Sequence, residues 1–427
     1  MKVLLLGASG LVGRHLAPAL RAAGCDVVCA GRNKPASAPA GAWRELDFAT
    51  LTDSASWLPH LAGVDAVVNC VGIIRENSPG DFERIQHTAP VALFAACEQL
   101  GLRRVIQLSA LGSAPDAATA FWRSKGAADA DLLCRQLDAT VVRLSLVYAA
   151  DGASSRLFLA LASMPLLALP MARRARVQPI HIDDLTSALV RLVRTPAPQP
   201  EMLALVGPRP MSIAQYVAAL RNGLGAGKSF ACDVPLPLAR LGARVAAIHP
   251  ASTLTPDSLT MLVQSADSGN TADTGAVTAL LGHAPRDPAS FARPEQKAAA
   301  VMSWGVPLIT FTFAILWLAT ALVSWFGWPH AQSEQWLAAC GIPAALRTPA
   351  LLGASLLDGA IGCALLRFLF QPRRWLWLLQ LGLVASYTVV MSFCLPEFWL
   401  HPFGPLSKNL PLIAVLCVMW QLSPQRK

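Results

Sequence analysis

At 427 residues the chain is too long for one ordinary domain, and its 54% hydrophobic and 14% charged residues point to a large buried core or to membrane spans. Its net charge of +9 includes no dense basic run with interleaved aromatics, which argues against nucleic-acid binding. Residues 1–300 hold 28 Lys+Arg and 23 Asp+Glu, whereas residues 301–427 hold only 7 and 3. The first part therefore reads as soluble and the second as lipid-embedded, with a modest basic surface suited to anionic lipid. The ten cysteines are scattered, with no CxxC pair, and most lie in apolar runs, as Cys70 and Cys417 do. They read as small core or lipid-facing residues, neither metal ligands nor a disulfide framework. The first apolar run is too short for a signal peptide and meets a glycine loop at once.

Residues 2–6 (KVLLL) form a buried strand that ends on Gly7. GASGLVG follows, with Gly7, Gly10 and Gly13, and then a helix through Leu20. This strand–glycine turn–helix is the setting of a dinucleotide site. Glycines permit close backbone approach to a pyrophosphate, and the helix N-terminus supplies free N–H groups and a positive dipole end. The second strand, residues 26–30, is followed by Gly31 and Arg32, where an NAD site usually carries an acid for the ribose 2′-hydroxyl. Arg32, with Arg14 just after Gly13, would suit a 2′-phosphate and favours NADPH over NADH; the alternative is two exposed surface arginines. Further strands are expected at residues 64–71, 104–108 (ending on Ser109) and 139–144, with helices at 89–100 and 125–136. This alternation predicts a mostly parallel sheet.

His181, Asp183 and Asp184 could be read as acid/base or metal groups, but an Asp capping a helix over residues 185–193 is the simpler reading. Residues 157–172, followed by Arg173, Arg174 and Arg176, are too short to span a bilayer; they read as a helix lining a cleft or touching a membrane.

Several motifs occur in the order and spacing of the extended short-chain dehydrogenase/reductases: Gly7 to Gly13, Asp47 in ELDF, Asn69 to Gly72, Ser109, FWRSK, RLSLVY ending at Tyr148, VQPIHIDDL, and TPDSLTMLVQSADSGNTAD with the later LLG. Residues 1–290 resemble that family, above all its atypical branch that includes the nucleotide-binding accessory subunit of respiratory complex I. The resemblance implies cofactor contacts at Gly7, Ser9, Gly10, Leu11, Val12, Gly13, Arg14, Arg32, Asp47, Val71, Gly72 and Lys125. It also implies catalytic positions at Ser109 and Lys125. Active members carry a YxxxK pair in which the Tyr moves the proton. Here Phe121 stands four residues before Lys125, and phenylalanine has no proton to give. Tyr148 is a substitute donor or, more simply, a packed aromatic at a strand end.

Residues 303–325, 349–369, 375–395 and 410–422 are apolar stretches near the ~20 residues that cross a bilayer as a helix. Trp325, Trp328, Trp375, Trp377 and Trp399 lie at or near their ends, as interfacial aromatics do. Arg367, Arg373 and Arg374 mark the second connection, and Arg426 and Lys427 end the chain; the positive-inside pattern puts these and the first 300 residues in the cytoplasm. Asp358 sits mid-span, either as a proton or substrate contact or as a structural group paired with a residue such as Lys408. HPFGPLSKNLP (residues 401–411) and LLDGAIG (356–362) resemble the DoxX-like membrane domain.

The expected fold is an α/β Rossmann domain (doubly wound, mostly parallel sheet) with a C-terminal four-helix transmembrane bundle. Residues 1–230 would form the NAD(P)-binding domain, 231–298 the rest of the substrate region and linker, and 299–427 the membrane domain, multi-pass in the inner (cytoplasmic) membrane. Expected partners are the nucleotide cofactor, the lipid bilayer and a quinone or lipid substrate. The other reading is a non-catalytic NADPH-binding sensor or assembly module that acts on a membrane-protein partner.

Overall fold

The structure is a computed structural model describing residues 1–34, 42–102, 104–195, 200–228, 230–247, 255–267 and 270–423. It divides into two compact units, Met1–Ala300 and Val301–Lys427.

In the first unit, strand β1 (Lys2–Leu6) runs into helix α1 (Leu11–Ala22). Then come β2 (Asp26–Gly31), β3 (Trp43–Glu45), α2 (Ser54–Leu61), β4 (Ala66–Asn69), a short α3 (Asp81–Glu83), a π turn (Arg84–Thr88), α4 (Ala89–Gln99), β5 (Arg104–Ala110), α5 (Ala120–Leu133) and β6 (Asp138–Leu144). The chain continues through β7 (Val147–Tyr148), α6 (Ala153–Ser163), β8 (Leu166–Leu169), β9 (Arg176–Val177), β10 (Ile180–His181), α7 (Ile182–Arg194), β11 (Met202–Leu205), β12 (Met211–Ser212), α8 (Ile213–Gly223), β13 (Phe230–Asp233), α9 (Leu236–Ala247), α10 (Pro256–Asp267) and α11 (Gly275–Leu281).

Seven strands form one sheet in the order β11-β6-β5-β4-β1-β2-β3. Every pairing within it is parallel. Alternation along β1 shows why the sheet is covered on both faces. Val3 and Leu5 pack with Leu16 and Leu20 of α1 and Leu185 and Leu189 of α7. Leu4 and Leu6 pack with Trp57 of α2 and Leu93 and Phe94 of α4. All four β1 side chains are fully buried, each worth roughly 1.5–3 kcal/mol relative to exposure. The strand order reverses between β1 and β4, which opens a crevice at their C-terminal ends, the usual ligand position in such sheets.

Three expectations need correction. Helix α5 begins at Ala120, five residues early, because Thr119 caps it by accepting from the Trp122 N–H. Residues 157–172 are not one helix: α6 ends at Ser163, and β8 then pairs with β13. Helix α7 starts at Ile182, and its capping side chain is His181, which accepts from the Asp183 N–H at 3.2 Å. Asp183 and Asp184 fall in the first turn instead, where both form ion pairs with Arg286.

The second unit contains the rest of α12 (Lys297–Leu322), which ends in a π turn (Val323–Gly327), then α13 (His330–Ala339), α14 (Ala344–Arg367), α15 (Arg374–Cys394) and α16 (Asn409–Leu422). Three of these helices are long and apolar enough to cross a membrane, and 22–28% of the most apolar stretch of each is buried within the protein. The rest of each stretch is left to meet lipid. The 14-residue α16 measures ~21 Å at 1.5 Å per residue, short of a ~30 Å hydrocarbon core; it completes the four-helix bundle against α15. An ideal Cβ on Gly362 would lie 2.6 Å from Leu318 Cγ, so this glycine lets α12 and α14 approach closely.

Trp377 is not interfacial. It is fully buried, edge-on to Phe313 with ring centroids 5.9 Å apart, because it lies one turn inside α15 on the bundle-facing side. Asp358 is buried with its Oδ1 unbonded, and no pairing with Lys408 forms among the described residues. Arg373 lies over the Phe368 ring and Arg374 over that of Trp420. Arg426 and Lys427 lie outside the described residues.

Candidate functional site

The loop after β1 requires glycine for steric reasons. Gly7 has φ +71°, and a Cβ there would lie 2.9 Å from the Cys70 carbonyl carbon. A Cβ on Gly13 would come within 2.3 Å of Gly7 O, so α1 packs directly on the loop. Gly10 is the N-cap of α1 and has no capping side chain; the first helical bond runs from Arg14 N to Gly10 O at 3.0 Å. The free N–H groups of this first turn and the helix dipole make an anion site.

In front of the loop lies a cavity of about 200 Å³. Gly7, Ser9 and Gly10 line it from the glycine loop, Gly31 and Arg32 from the end of β2, Leu46, Asp47 and Phe48 from the turn after β3, and Cys70, Val71, Gly72, Ile73 and Ile85 from the far side. It brings together seven of the residues picked from sequence: Gly7, Ser9, Gly10, Arg32, Asp47, Val71 and Gly72. Leu11, Val12 and Gly13 lie in the first turn of α1 and are not among its lining. Arg14 is engaged elsewhere, 2.8 Å from the Asp151 carboxylate, whereas Arg32 is exposed at the cavity. The Asp47 carboxylate accepts from Ala49 N at 3.0 Å, which fixes the turn after β3.

Lys125 lies beside this floor: a Cβ on Gly72 would be 3.3 Å from its Nζ. Its ammonium donates to Leu108 O at 3.2 Å. Burial pushes its pKa down, while Asp129 and then Cys70 act in the opposite sense. Burial also pushes the Cys70 thiol up to about 12 despite the nearby Lys125 charge, so Cys70 is no thiolate nucleophile.

Ser109 does not line the cavity. It is 4% exposed, and its hydroxyl donates to Asp129 Oδ2 at 2.5 Å. Asp129 is 1% exposed. Burial raises its pKa; the Ser109 hydrogen bond, Lys125 and Arg143 pull it down, in that order. Sequence reading missed Asp129, although an acid four residues after Lys125 shares its helical face. It missed Gln86 as well. This buried residue, within the π turn, accepts from Ile73 N at 3.0 Å and donates to Ser124 at 3.1 Å. Gln86 thereby ties the cavity wall to α5. π turns are frequent at functional sites for this kind of local re-aiming.

Phe121 is buried and packs edge-on to Phe82, with centroids 6.1 Å apart. Tyr148 is fully buried and stacks on Phe291 at 5.0 Å; its hydroxyl is 3.5 Å from Gln296 Oε1, and burial raises its pKa.

Residues 3–205 match the NAD dependent epimerase/dehydratase family, and residues 314–417 match the DoxX-like family. The chain joins a domain of the first family to a domain of the second. It is 27% identical over 199 residues to a ceramide reductase of Caulobacter vibrioides, covering 45% of this chain and 61% of that protein. It is 29% identical over 222 residues to an uncharacterized protein of Mycobacterium tuberculosis, covering 52% and 23%. The chain thus spans less than two thirds of the length of these curated relatives. Two solved structures share the fold of the first unit. An NADPH-dependent quinone oxidoreductase from Escherichia coli, complexed with NADPH, aligns at TM-score 0.53 and 18% identity over 70% of this chain and 99% of its own. A nucleoside-diphosphate-sugar epimerase from Staphylococcus aureus aligns at 0.53 and 20%, over 68% and 99%.

Proposed function

We propose that the first unit binds NADPH in the cavity between β1 and β4 and passes reducing equivalents to an apolar acceptor of the quinone or lipid class. The observation that carries this reading is the cavity itself. Gly10, the N-cap of α1 with no capping side chain, lines it, and Arg32, not an acid, stands after the end of β2. These residues fit the group. The first turn of α1 would hold the pyrophosphate, Asp47 and Phe48 would border the adenosine, and Arg32 would take a 2′-phosphate through charge-assisted bonds. Lys125, beside Gly72, would hold the nicotinamide-side ribose. A bound nicotinamide supplies the hydride. The similarity to a ceramide reductase and to the fold of a quinone oxidoreductase supports acceptors with long apolar parts.

A specific observation favours a second reading, a non-catalytic NADPH sensor or assembly module for a membrane partner. Phe121 offers no proton, and the Ser109 hydroxyl is committed to Asp129. Full-length protein in detergent, scanned for bound nucleotide and for NADPH oxidation with quinone and long-chain carbonyl acceptors, separates the two. Turnover with an acceptor supports the first reading. Tight NADPH binding with no oxidation supports the second, and absence of nucleotide binding defeats both.

The proposed topology is an inner-membrane protein with its first unit and C-terminus in the cytoplasm, in keeping with Arg367, Arg373 and Arg374 at the ends of α14 and α15 and between them. Residues 231–298 would complete the substrate region. A reporter fused after Lys427 should be active only in its cytoplasmic form; activity on the opposite side overturns this topology.

A further inference from the structure

Two strands outside the main sheet leave an apolar face uncovered. β8 and β13 pair in parallel, with Leu166 opposite Phe230 and Ala168 opposite Cys232. Between them Leu167 points inward and is buried with Leu159, Ala162 and Leu220. The face that carries the two pairs is exposed, and Phe230 is 83% open. Parallel strands are ordinarily covered on both faces, and an open sheet face is ordinarily polar. Two residues separate β13 from α9, which repeats the pattern. Leu236, Ala239 and Ala243 share one side of this helix and are half-buried or buried. Leu238 and Leu241 lie on the opposite side, 61% and 59% exposed. The same stretches are basic. Residues 164–176 and 228–244 carry Arg173, Arg174, Arg176, Lys228, Arg240 and Arg244, all exposed, against one acid, Asp233. Single exposed apolar residues are ordinary, but four large ones on three linked elements mark an interaction surface.

We propose that the first unit docks through β8, β13 and α9 on the anionic surface of a lipid bilayer. Leu166, Phe230, Leu238 and Leu241 enter the boundary between headgroups and acyl chains, and the basic residues of the same stretches meet lipid phosphates. Position and charge both choose lipid over a protein. Helix α12 begins in the first unit at Lys297 and continues as one of the three helices long and apolar enough to cross a membrane, so the chain itself holds this unit beside a bilayer. That tether raises the effective concentration of lipid at the face, and a patch too small to bind a membrane by itself then suffices. Apolar side chains beside arginines are the composition of interfacial elements, and each cation near an anionic leaflet adds to the attraction. A second copy of this chain, with its net charge of +9, would instead bring like-charged residues against one another. The docking requires neither nucleotide nor turnover, so it stands apart from the catalytic reading.

The test places the full-length protein in lipid nanodiscs that contain a phospholipid with a photoreactive diazirine near its headgroup. One set of discs is rich in phosphatidylglycerol and the other is phosphatidylcholine alone. After irradiation the protein is digested, and the labelled peptides are mapped by mass. The expected result is label on peptides from residues 164–176 and 228–244 in the anionic discs, and about 5-fold less in the neutral ones, the value of even one cation at an anionic surface. The helices of the second unit should label alike in both and serve as the internal standard. Phe230→Glu with Leu238→Glu, both at exposed positions, should remove label from the two stretches and leave that of the helices unchanged. Absence of label from both stretches in wild type, with the helices labelled, overturns the proposal, whatever protein surface covers the face instead. Photocrosslinks from these stretches to a second copy, in place of lipid, overturn it as well. Equal labelling in the two lipids overturns the part given to the basic residues. The wild-type comparison decides the case even where the double variant fails to fold.

Discussion

Replacing Asp129 probes the buried polar cluster under the cavity. Asp129→Ala removes the acceptor of the hydroxyl of Ser109, a residue only 4% exposed. A buried donor left unsatisfied costs about 1–3 kcal/mol. The change also strips the buried Lys125 ammonium of the carboxylate that most supports its charge. Breaking a close buried pair costs about 3–5 kcal/mol, and the longer Lys125–Asp129 separation scales this down. We expect a total of about 2–4 kcal/mol. Asp129→Asn keeps an oxygen for Ser109 but loses the charge that supports Lys125, so it should cost about 1–2 kcal/mol, less than Asp129→Ala. The pH dependence has a definite sign. Burial raises the Asp129 pKa above its unfolded value, so the stability contributed by its proton is present at low pH and is lost as pH rises through the folded pKa. Asp129→Asn should therefore compare better with wild type in alkaline than in acidic buffer. Hydrogen–deuterium exchange of α5 and β5 peptides in the full chain reads the effect locally; about 2–4 kcal/mol corresponds to roughly 30- to 800-fold faster exchange. In a Lys125→Met background the cost of Asp129→Ala should shrink. Less than about 5-fold faster exchange for Asp129→Ala, or equal costs in both backgrounds, would refute the coupling.

Arg32→Asp should weaken NADPH by about 10- to 100-fold, the value of one or two charge-assisted bonds, and NADH far less; equal losses in calorimetric titrations defeat the assignment. Phe121→Tyr puts a phenol one helical turn before Lys125 and should raise carbonyl reduction while leaving NADPH affinity nearly unaltered, since general acid catalysis is worth roughly 10²–10⁴ in rate. Rapid wild-type carbonyl reduction that the change does not increase would mean that another group supplies the proton. His181 must stay neutral at Nδ1 to cap α7, and burial lowers its pKa. Its stabilising contribution is present above its unfolded pKa near 6.5 and is lost as pH falls through the folded value. His181→Asn should retain the cap and flatten thermal stability below about pH 6; an unchanged acid limb counts against this role.

Local signals were legible in the chain. The run KVLLL before GASGLVG specifies a buried strand, a tight turn and an uncapped helix within a dozen residues, so the glycine loop could be read without tertiary information. The split between units was visible because span hydropathy depends on composition alone. Arg32 was accessible for a similar reason: it follows a strand end, and parallel strand ends converge on one crevice. Asp47 was accessible only through the family resemblance of ELDF, because the three-residue β3 before it is too short to show a pattern.

The sequence by itself determined the nucleotide loop, the parallel alternation and the apolar spans, because each arises from neighbours a few residues apart. Only the tertiary structure decided which polar groups face the cavity. Arg14 is drawn to Asp151 across 137 positions, Ser109 turns to Asp129 on a helix packed beneath β5, and Gln86 reaches α5 from a π turn. The same holds for Trp377, whose place inside the bundle depends on α12. A polar side chain in a dry interior takes the partner that packing puts within reach, and that choice leaves no periodic trace along the chain.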